Sequence, residues 1–298
     1  MTRPIWNIGS STVTRIEEQL GMANMPPDRY FTGFERDVLH RHLDWLMPHH
    51  YAPEHDKVIS SVHSWLIRTR HHTILVDSCA GNHKDRPWTP RFHQLDTPYL
   101  QRLHDAGVRP EDIDIVFCTH LHADHTGWNT MLKDGRWVPT FPNAKYYFSK
   151  AEAAYWNAAV NPAMASDPRS AVFVDSVLPV VNAGQAVMID HTHVFDDEIG
   201  IEPSPGHTPG HVSITLGRQG ERGIFSGDAI HHALQVYAPH WNHMADEDPA
   251  QAAITRRLLL NRCAEEGALL FTGHFGAPHV AAIRSKSECF HPVFVDGH

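Results

Sequence analysis

Four side chains of the kinds that bind metal ions stand within six consecutive positions of this sequence. They are His120, His122, Asp124 and His125. They follow an apolar run, Ile113–Cys118, that predicts a buried β-strand. A continuous helix or strand would spread these side chains over different faces, whereas a turn after a strand can gather them. The sequence therefore predicts a metal site in a loop at the carboxyl end of a strand.

The spacing of these ligands favours two neighbouring metal ions. A turn can direct His120 and His122 at one ion and Asp124 and His125 at the next. A pair of divalent ions lowers the pKa of a water molecule between them and polarises a carbonyl or phosphoryl oxygen. Further ligands must come from elsewhere in the chain, and 26 histidines among 298 residues justify the search for them.

Charge and hydropathy restrict the partners of this chain. The formal net charge is −9 and Lys and Arg do not cluster, which argues against binding to nucleic acid, because phosphate contacts need grouped cations. No apolar run reaches signal-peptide length at the N-terminus or membrane-spanning length elsewhere. We therefore expect a cytoplasmic protein that acts on a small molecule and binds neither nucleic acid nor a membrane.

The alternation of strand and helix patterns predicts a layered α/β fold. The clearest helix is Pro249–Glu266, with Asp248 as its N-cap. Residues 1–56 are less regular, although Asp37–Met47 has helical spacing with Asp37 as N-cap. We predict that residues 1–56 form an arm that rims the active site or joins two copies of the chain in a homodimer. Residues 57–298 are the predicted catalytic domain.

Three later motifs follow the His120–His125 cluster in a characteristic order. They are Pro205-Gly206-His207-Thr208-Pro209-Gly210-His211, Ser226-Gly227-Asp228-Ala229 and Thr272-Gly273-His274. Together with the HxHxDH cluster they resemble the metallo-β-lactamase superfamily, from Val58 to His274. The resemblance implies a four-layer αβ/βα sandwich in which two mixed sheets face each other and the metals lie at one edge.

The resemblance also implies how the ligands are shared between two divalent ions. His120, His122 and His207 would bind the first ion, Asp124, His125 and His274 the second, and Asp228 would bridge them. Zn²⁺ is the default for such ligands, and Fe, Mn or Co fit similar sites. Asp77, which follows the strand pattern Thr73–Val76, resembles the family's supporting aspartate, and a turn-capping role for it is equally open.

Two side chains are candidates for a part in catalysis. The resemblance implies a bridging hydroxide as the nucleophile, with Asp124 orienting it. Lactonases that resemble these motifs often carry Tyr three positions after the bridging Asp, and here that position is His231. His231 is expected to donate a hydrogen bond to a developing oxyanion or to pack. Trp128 and His211 are expected to pack or orient rather than to bind metal.

The leading functional prediction is hydrolysis of a lactone or ester. The residues around Asp228, Asp248 and His274 resemble the homoserine-lactonase and organophosphate-hydrolase branches of the superfamily. A glyoxalase-like thioesterase and a phosphotriesterase are alternatives, because the same site cleaves those bonds. Two other classes stay open: a di-iron oxidoreductase, which needs electron delivery, and a non-catalytic metal-binding module.

Overall fold

The computed structural model describes residues 3–190, 192–195, 199–286 and 289–298. The chain forms two compact units. Unit 1 comprises residues 1–18, 62–193 and 298, and unit 2 comprises residues 19–61 and 194–297. Within the described ranges, every helix is too short or too polar to cross a membrane.

Strands supply most of the regular structure in both units. In chain order the strands are β1 (Ile5–Ile8), β2 (Ser11–Met22), β3 (Phe31–Thr32), β4 (Tyr51–Ala52), β5 (Lys57–Arg68), β6 (Thr73–Val76), β7 (Ile115–Phe117), β8 (Thr130–Lys133), β9 (Arg136–Pro139), β10 (Lys145–Ser149), β11 (Ala186–Ile189), β12 (His193–Val194), β13 (Ile199–Pro203), β14 (Val212–Arg218), β15 (Glu221–Phe225), β16 (Asn242–His243), β17 (Leu269–Phe271), β18 (Val280–Lys286) and β19 (Cys289–Phe294).

Helices are mostly short and connect these strands. The α-helices are α1 (Pro27–Tyr30), α2 (Arg36–Arg41), α3 (Leu43–Leu46), α4 (Tyr99–Asp105), α5 (Ala123–Thr126), α6 (Lys150–Trp156), α7 (Leu178–Asn182), α8 (Leu234–Tyr237) and α9 (Pro249–Glu266). Single 3₁₀ turns lie at Pro53–His55, Pro90–Phe92, Pro110–Asp112, Gly127–Asn129, Pro162–Ser166, Pro168–Ser170 and Gly227–Ala229, and a π-helical turn precedes α7 at Phe173–Val177.

The sheet of unit 1 has the order β1-β2-β5-β6-β7-β10-β11 and mixes both strand directions. Strand β7 runs parallel to β6, with Val76 opposite Phe117. Each side chain of β7 is buried, which explains why its sequence is a continuous apolar run. Because β6 and β7 are parallel, the residues that follow them leave the sheet at the same edge. Asp77 and Thr119 therefore begin neighbouring loops.

The sheet of unit 2 has the order β12-β13-β14-β15-β17-β18-β19. Strands β15 and β17 are parallel, with Phe225 opposite Phe271. The loops that carry Asp228 and His274 therefore start side by side. Strands β13 and β14 are antiparallel and meet at Pro203 and Val212, and β15 is antiparallel to β14, so the loop with His207 turns at the same edge.

Helix α9 confirms the prediction from its capping residues. It spans Pro249–Glu266, and the Asp248 carboxylate accepts the backbone N–H of Gln251 at 3.0 Å. Gly267 caps its carboxyl end with a φ of 66°, a conformation that glycine adopts without strain. Leu260 and Cys263 are buried in an apolar cluster with strands β15 and β17. Local capping signals and core packing agree here, so the sequence pattern was sufficient.

The N-terminal residues are more regular than their sequence suggests. Strands β1 and β2 pair antiparallel in the sheet of unit 1, and unit 1 ends its first segment at Glu18, inside β2. The predicted boundary at residue 56 between an arm and a catalytic domain stays a prediction. The two compact units have their boundaries at other residues. The predicted helix over Asp37–Met47 is wrong as one helix, because the backbone leaves helical geometry at His42 between α2 and α3.

Unit 2 buries two histidines that the ligand motifs do not include. The side chains of His50 and His232 are almost fully buried, and Nε2 of His232 lies 2.9 Å from the backbone oxygen of His50. The imidazole of His50 stacks on Phe294 at 4.8 Å. Burial lowers the pKa of His50 to about 2 and that of His232 to about 4, so both rings are neutral in the folded protein near neutral pH.

These neutral histidines predict a loss of stability in mild acid. In the unfolded chain a histidine takes up a proton below its ordinary pKa of about 6.5, whereas the buried rings do not, so the free energy of unfolding falls as the pH drops from about 6.5 towards about 4. We expect His50→Phe to remove about 2 kcal/mol of this loss between pH 7.5 and pH 5. Urea unfolding of both proteins at the two pH values measures it, and an equal loss in the variant would contradict the assignment.

Candidate metal centre

In unit 1 the predicted turn after strand β7 is present. The backbone is extended at His122 and then forms the single helical turn α5. This change of direction brings three rings together: His120 lies 4.6 Å from His122 and 4.1 Å from His125, measured between ring centroids. Oδ1 of Asp124 lies 3.9 Å from Nε2 of His125. The segment therefore gathers its four candidate ligands in one place.

Asp77 both caps the turn and contacts a candidate ligand. Its carboxylate accepts the backbone N–H and the hydroxyl of Thr119 at 2.8 and 2.9 Å. Oδ2 of Asp77 also lies 2.8 Å from Nδ1 of His125. A carboxylate on Nδ1 fixes the tautomer and makes Nε2 the metal-binding nitrogen. These contacts of one side chain fit both of the roles that the sequence left open.

Helix α6 supports the other end of the ligand segment. Oε2 of Glu152, which is fully buried, accepts the backbone N–H of Leu121 at 3.1 Å and the indole N–H of Trp156 at 2.9 Å. The ring of Trp156 lies edge to face with His122 at 5.2 Å. Sequence reasoning missed both residues, because no local pattern links positions 152 and 156 to the ligand segment.

Trp128 packs in the core of unit 1, where it belongs to a cluster of buried apolar side chains. Its indole N–H donates to Oε1 of Glu18 at 2.6 Å, and its ring stacks on Tyr99 at 5.3 Å. Glu18 also accepts the backbone N–H groups of Ala80 and Gly81. Burial nevertheless raises the pKa of Glu18. A side chain from strand β2 therefore anchors the loop beside the ligand segment.

In unit 2 three imidazole nitrogens converge on the Asp228 carboxylate. Nε2 of His274 lies 3.1 Å from Oδ1, and Nε2 of His207 lies 3.5 Å from Oδ2. Nε2 of His231 lies 3.0 Å from Oδ2. All four side chains are buried. Nitrogen and carboxylate donors at these separations suit a divalent transition metal.

The rings of the predicted ligands in unit 2 are fixed through Nδ1. Nδ1 of His207 lies 2.8 Å from Oδ1 of Asp246, and Nδ1 of His274 lies 2.7 Å from the backbone oxygen of Ser61. Asp246 in turn receives a hydrogen bond from the buried Arg256 at 3.3 Å. Asp246 and Arg256 were not predicted as site residues, because nothing near them in the sequence marks them as partners of His207.

His211, the second histidine of its motif, contacts the backbone of Asp228. Its Nε2 lies 3.1 Å from the backbone nitrogen of Asp228, which donates the hydrogen bond. Its Nδ1 lies 2.8 Å from the hydroxyl of Ser204. Both ring nitrogens thus have protein partners, which agrees with the expected orienting role.

His231 is enclosed by other imidazoles. Its ring stacks on His243 at 3.9 Å and lies nearly parallel to that of His274 at 5.5 Å. Its backbone N–H donates to Oε1 of Gln235 at 2.8 Å. Burial lowers the pKa of His231 to about 3 and lowers that of His243 well below its usual value. Both rings are therefore neutral, the form that binds metal.

The family of this chain follows from these motifs and from the sequence as a whole. Residues 58–274 match the family model of the metallo-β-lactamase superfamily. The chain belongs to the metallo-β-lactamase superfamily. The match includes each predicted ligand, and the predicted α/β fold of this superfamily is confirmed.

Relatives of this metallo-β-lactamase superfamily member include lactonases. Over 107 residues it is 30% identical to the N-acyl homoserine lactonase AiiB of Agrobacterium fabrum, a match that covers 30% of this chain and 38% of the relative's length. The crystal structure of hydrolase AbOPH is similar, with a TM-score of 0.81, 24% identity and coverage of 99% of this chain and 98% of that one. The dizinc quorum-quenching lactonase AidC has a TM-score of 0.73, 21% identity and coverage of 98% and 96%. Together with the family match, these likenesses show that the chain has the metallo-β-lactamase fold.

Gly206 allows the His207 loop to pack against helix α9. Its φ is 130°, and a Cβ atom there would lie 2.3 Å from the backbone nitrogen of Ala252. We expect Gly206→Ala to lower the free energy of unfolding by about 3 kcal/mol or more and to reduce bound metal, because either the loop or the helix must move. Unfolding curves and metal analysis measure the two effects.

The control for this prediction is Gly220→Ala in the same unit. Gly220 also has a positive φ, 91°, but a Cβ atom there meets no other atom within 4 Å. This variant therefore carries only the backbone strain, about 1 kcal/mol, and keeps its metal. Equal effects of the two substitutions would show that the contact with α9 is unimportant.

Replacing the Asp77 carboxylate tests its role behind His125. Asp77→Asn keeps the size of the side chain but removes the charge that makes His125 a stronger ligand, so we expect metal affinity to fall about 10- to 100-fold. Asp114→Asn is the matched control, since Asp114 accepts the backbone N–H of Thr73 at 2.8 Å in an exposed position of the same unit. Competition with a chromophoric chelator measures both affinities, and unchanged binding in Asp77→Asn would limit Asp77 to capping.

Proposed function

We propose that this protein is a dinuclear metal-dependent hydrolase that cleaves a lactone or an ester of a small molecule. The observation that carries the proposal is the pair of ligand clusters: the HxHxDH turn of unit 1, and the convergence of imidazoles on Asp228 in unit 2. The order of these motifs along the chain matches the superfamily from residue 58 to residue 274.

We propose that seven side chains hold the two ions, Zn²⁺ by default. They are His120, His122, Asp124, His125, His207, Asp228 and His274. Two divalent ions supply a hydroxide nucleophile near neutral pH and polarise the scissile carbonyl. The Nδ1 contacts of His125, His207 and His274 support this proposal, because each leaves Nε2 as the ligand atom.

The chain's own residues then divide the remaining work. His120 and His125 are buried, whereas His122 and Asp124 are partly exposed. Asp124 is therefore placed to act where water and substrate arrive, as an acceptor that orients the attacking water. His231 is placed next to the proposed bridging carboxylate, because its Nε2 lies 3.0 Å from Oδ2 of Asp228. The ordered supports behind the ligands keep these atoms in place during the reaction.

Two observations support a lactone or ester as the substrate: the activities of similar proteins and the net charge of this chain. AiiB is an N-acyl homoserine lactonase and AidC is a lactonase. The net charge of −9 disfavours a polyanionic substrate. We therefore propose a neutral, small-molecule substrate, with thioesters and phosphotriesters as the alternatives to be measured beside it.

Loss of the bridging carboxylate tests the metal and the reaction together. We expect the purified protein to contain about two divalent ions per chain and Asp228→Ala to lose metal and hydrolysis in parallel, because this side chain is predicted to bind both ions. Elemental analysis and aryl-ester hydrolysis are the measurements. Asp190→Ala, an exposed carboxylate paired with Lys150, is the control and keeps both. Turnover by metal-free protein would contradict the proposal.

A parallel substrate panel then separates the reaction types. We expect lactones or aryl esters to be hydrolysed with a higher kcat/KM than a thioester or a phosphotriester, with the same dependence on bound metal. Preference for a thioester would identify the glyoxalase-like alternative. Turnover that requires an electron donor would identify the oxidoreductase class, and metal binding without any turnover the non-catalytic module.

A further inference from the structure

His231 lies among the predicted ligands without belonging to the seven. Its Nε2 is 3.0 Å from Oδ2 of Asp228, and Nε2 of His274 is 3.3 Å from the same oxygen. One atom from each of these three side chains lies within 4.8 Å of the others. Two ligands of one zinc ion, each about 2.0–2.2 Å from it, have comparable separations.

The contact between His231 and Asp228 lacks the geometry of a hydrogen bond. Within the part of the chain that the structure describes, neither Nδ1 nor Nε2 of His231 has a hydrogen-bond partner, although the residue is only 2% exposed. A buried imidazole without a partner is costly. Nε2 of His231 and Oδ2 of Asp228 lie 3.0 Å apart, a separation that two ligands of a common ion can have.

The ring plane of His231 is held by its neighbours. His243 stacks on it with an interplanar angle of 21°, and His274 lies at 13°. The Gln235 side chain accepts the backbone N–H groups of both His231 and His232. This support suits a ligand, because a metal-binding ring must keep one orientation.

A separate metal site further along the same cluster is a weaker explanation. His207, His231, His243 and Asp246 also lie close together. However, Asp246 already accepts hydrogen bonds from the backbone of His243 and from Arg256, and it contacts Nδ1 of His207. The geometry therefore favours the ion of Asp228 and His274.

We propose that His231 is an eighth metal ligand, which binds through Nε2 the ion that Asp228 and His274 hold. The inference rests on the proposed function, since it needs the metal ions of that site. It replaces the expected hydrogen bond to an oxyanion by direct coordination. A further nitrogen ligand would favour Zn²⁺ or Co²⁺ at this position over ions that prefer oxygen ligands.

Chelator resistance of the zinc-loaded protein tests this ligand without measuring activity. We expect His231→Phe, which keeps a ring for stacking, to release one of its two zinc ions at least about tenfold faster than the wild type. His42→Phe is the matched control, because His42 is a stacked histidine of the same unit, with its ring 3.9 Å from that of Tyr237, and this variant should release both ions at the wild-type rate. Zinc release to a chromophoric chelator gives the two rates.

The outcomes distinguish this inference from the proposed function. If the wild type holds about two zinc ions and His231→Phe releases them no faster, His231 is not a ligand while the hydrolase proposal stands. If the wild type holds no zinc, the hydrolase proposal itself fails. Should His231→Phe not fold, a crystal structure of the zinc-loaded wild type decides: Nε2 of His231 about 2.0–2.2 Å from zinc supports the inference, and a distance beyond about 3 Å overturns it.

Discussion

A buried histidine that binds a metal ion almost always needs a partner for its second ring nitrogen. In this protein that requirement determines which residues surround the predicted ligands. Nδ1 contacts Asp77 in the case of His125, Asp246 in the case of His207, and the backbone oxygen of Ser61 in the case of His274. Asp77 directly follows strand β6, Asp246 lies shortly before helix α9, and Ser61 lies within strand β5, so strands and a helix position these supports.

The two supporting carboxylates differ in how their charge is balanced. Asp246 lies 3.3 Å from the guanidinium of Arg256, and both side chains are fully buried. Asp77 instead receives uncharged donors from Thr119. A carboxylate with a cationic partner lends less negative charge to its histidine. The carboxylate behind His207 thus has a cationic partner, whereas the donors that Thr119 gives to the carboxylate behind His125 are uncharged.

The sequence predicted what is local and missed what is distant. The ligand turn after β7 and helix α9 follow from short patterns, because strand, turn and capping signals lie next to one another. Glu152 lies 31 positions from Leu121, and Asp246 lies 39 positions from His207. Only folding brings each of these pairs together. The break at His42 was also missed, because the periodic pattern over Asp37–Met47 does not mark the residue at which the backbone leaves helical geometry.

Close packing at Gly206 also restricts how this fold can vary. The His207 loop rests on the first turn of α9, whose cap residue Asp248 donates its backbone N–H to the oxygen of Gly206 at 2.9 Å. An insertion or deletion in that turn would rotate the helix by about 100° per residue and displace the loop with it. At Gly267, by contrast, a Cβ atom would meet nothing within 4 Å. The two ends of α9 therefore differ: a change in length at the amino end displaces the His207 loop directly, whereas the residue that caps the carboxyl end has open space around it.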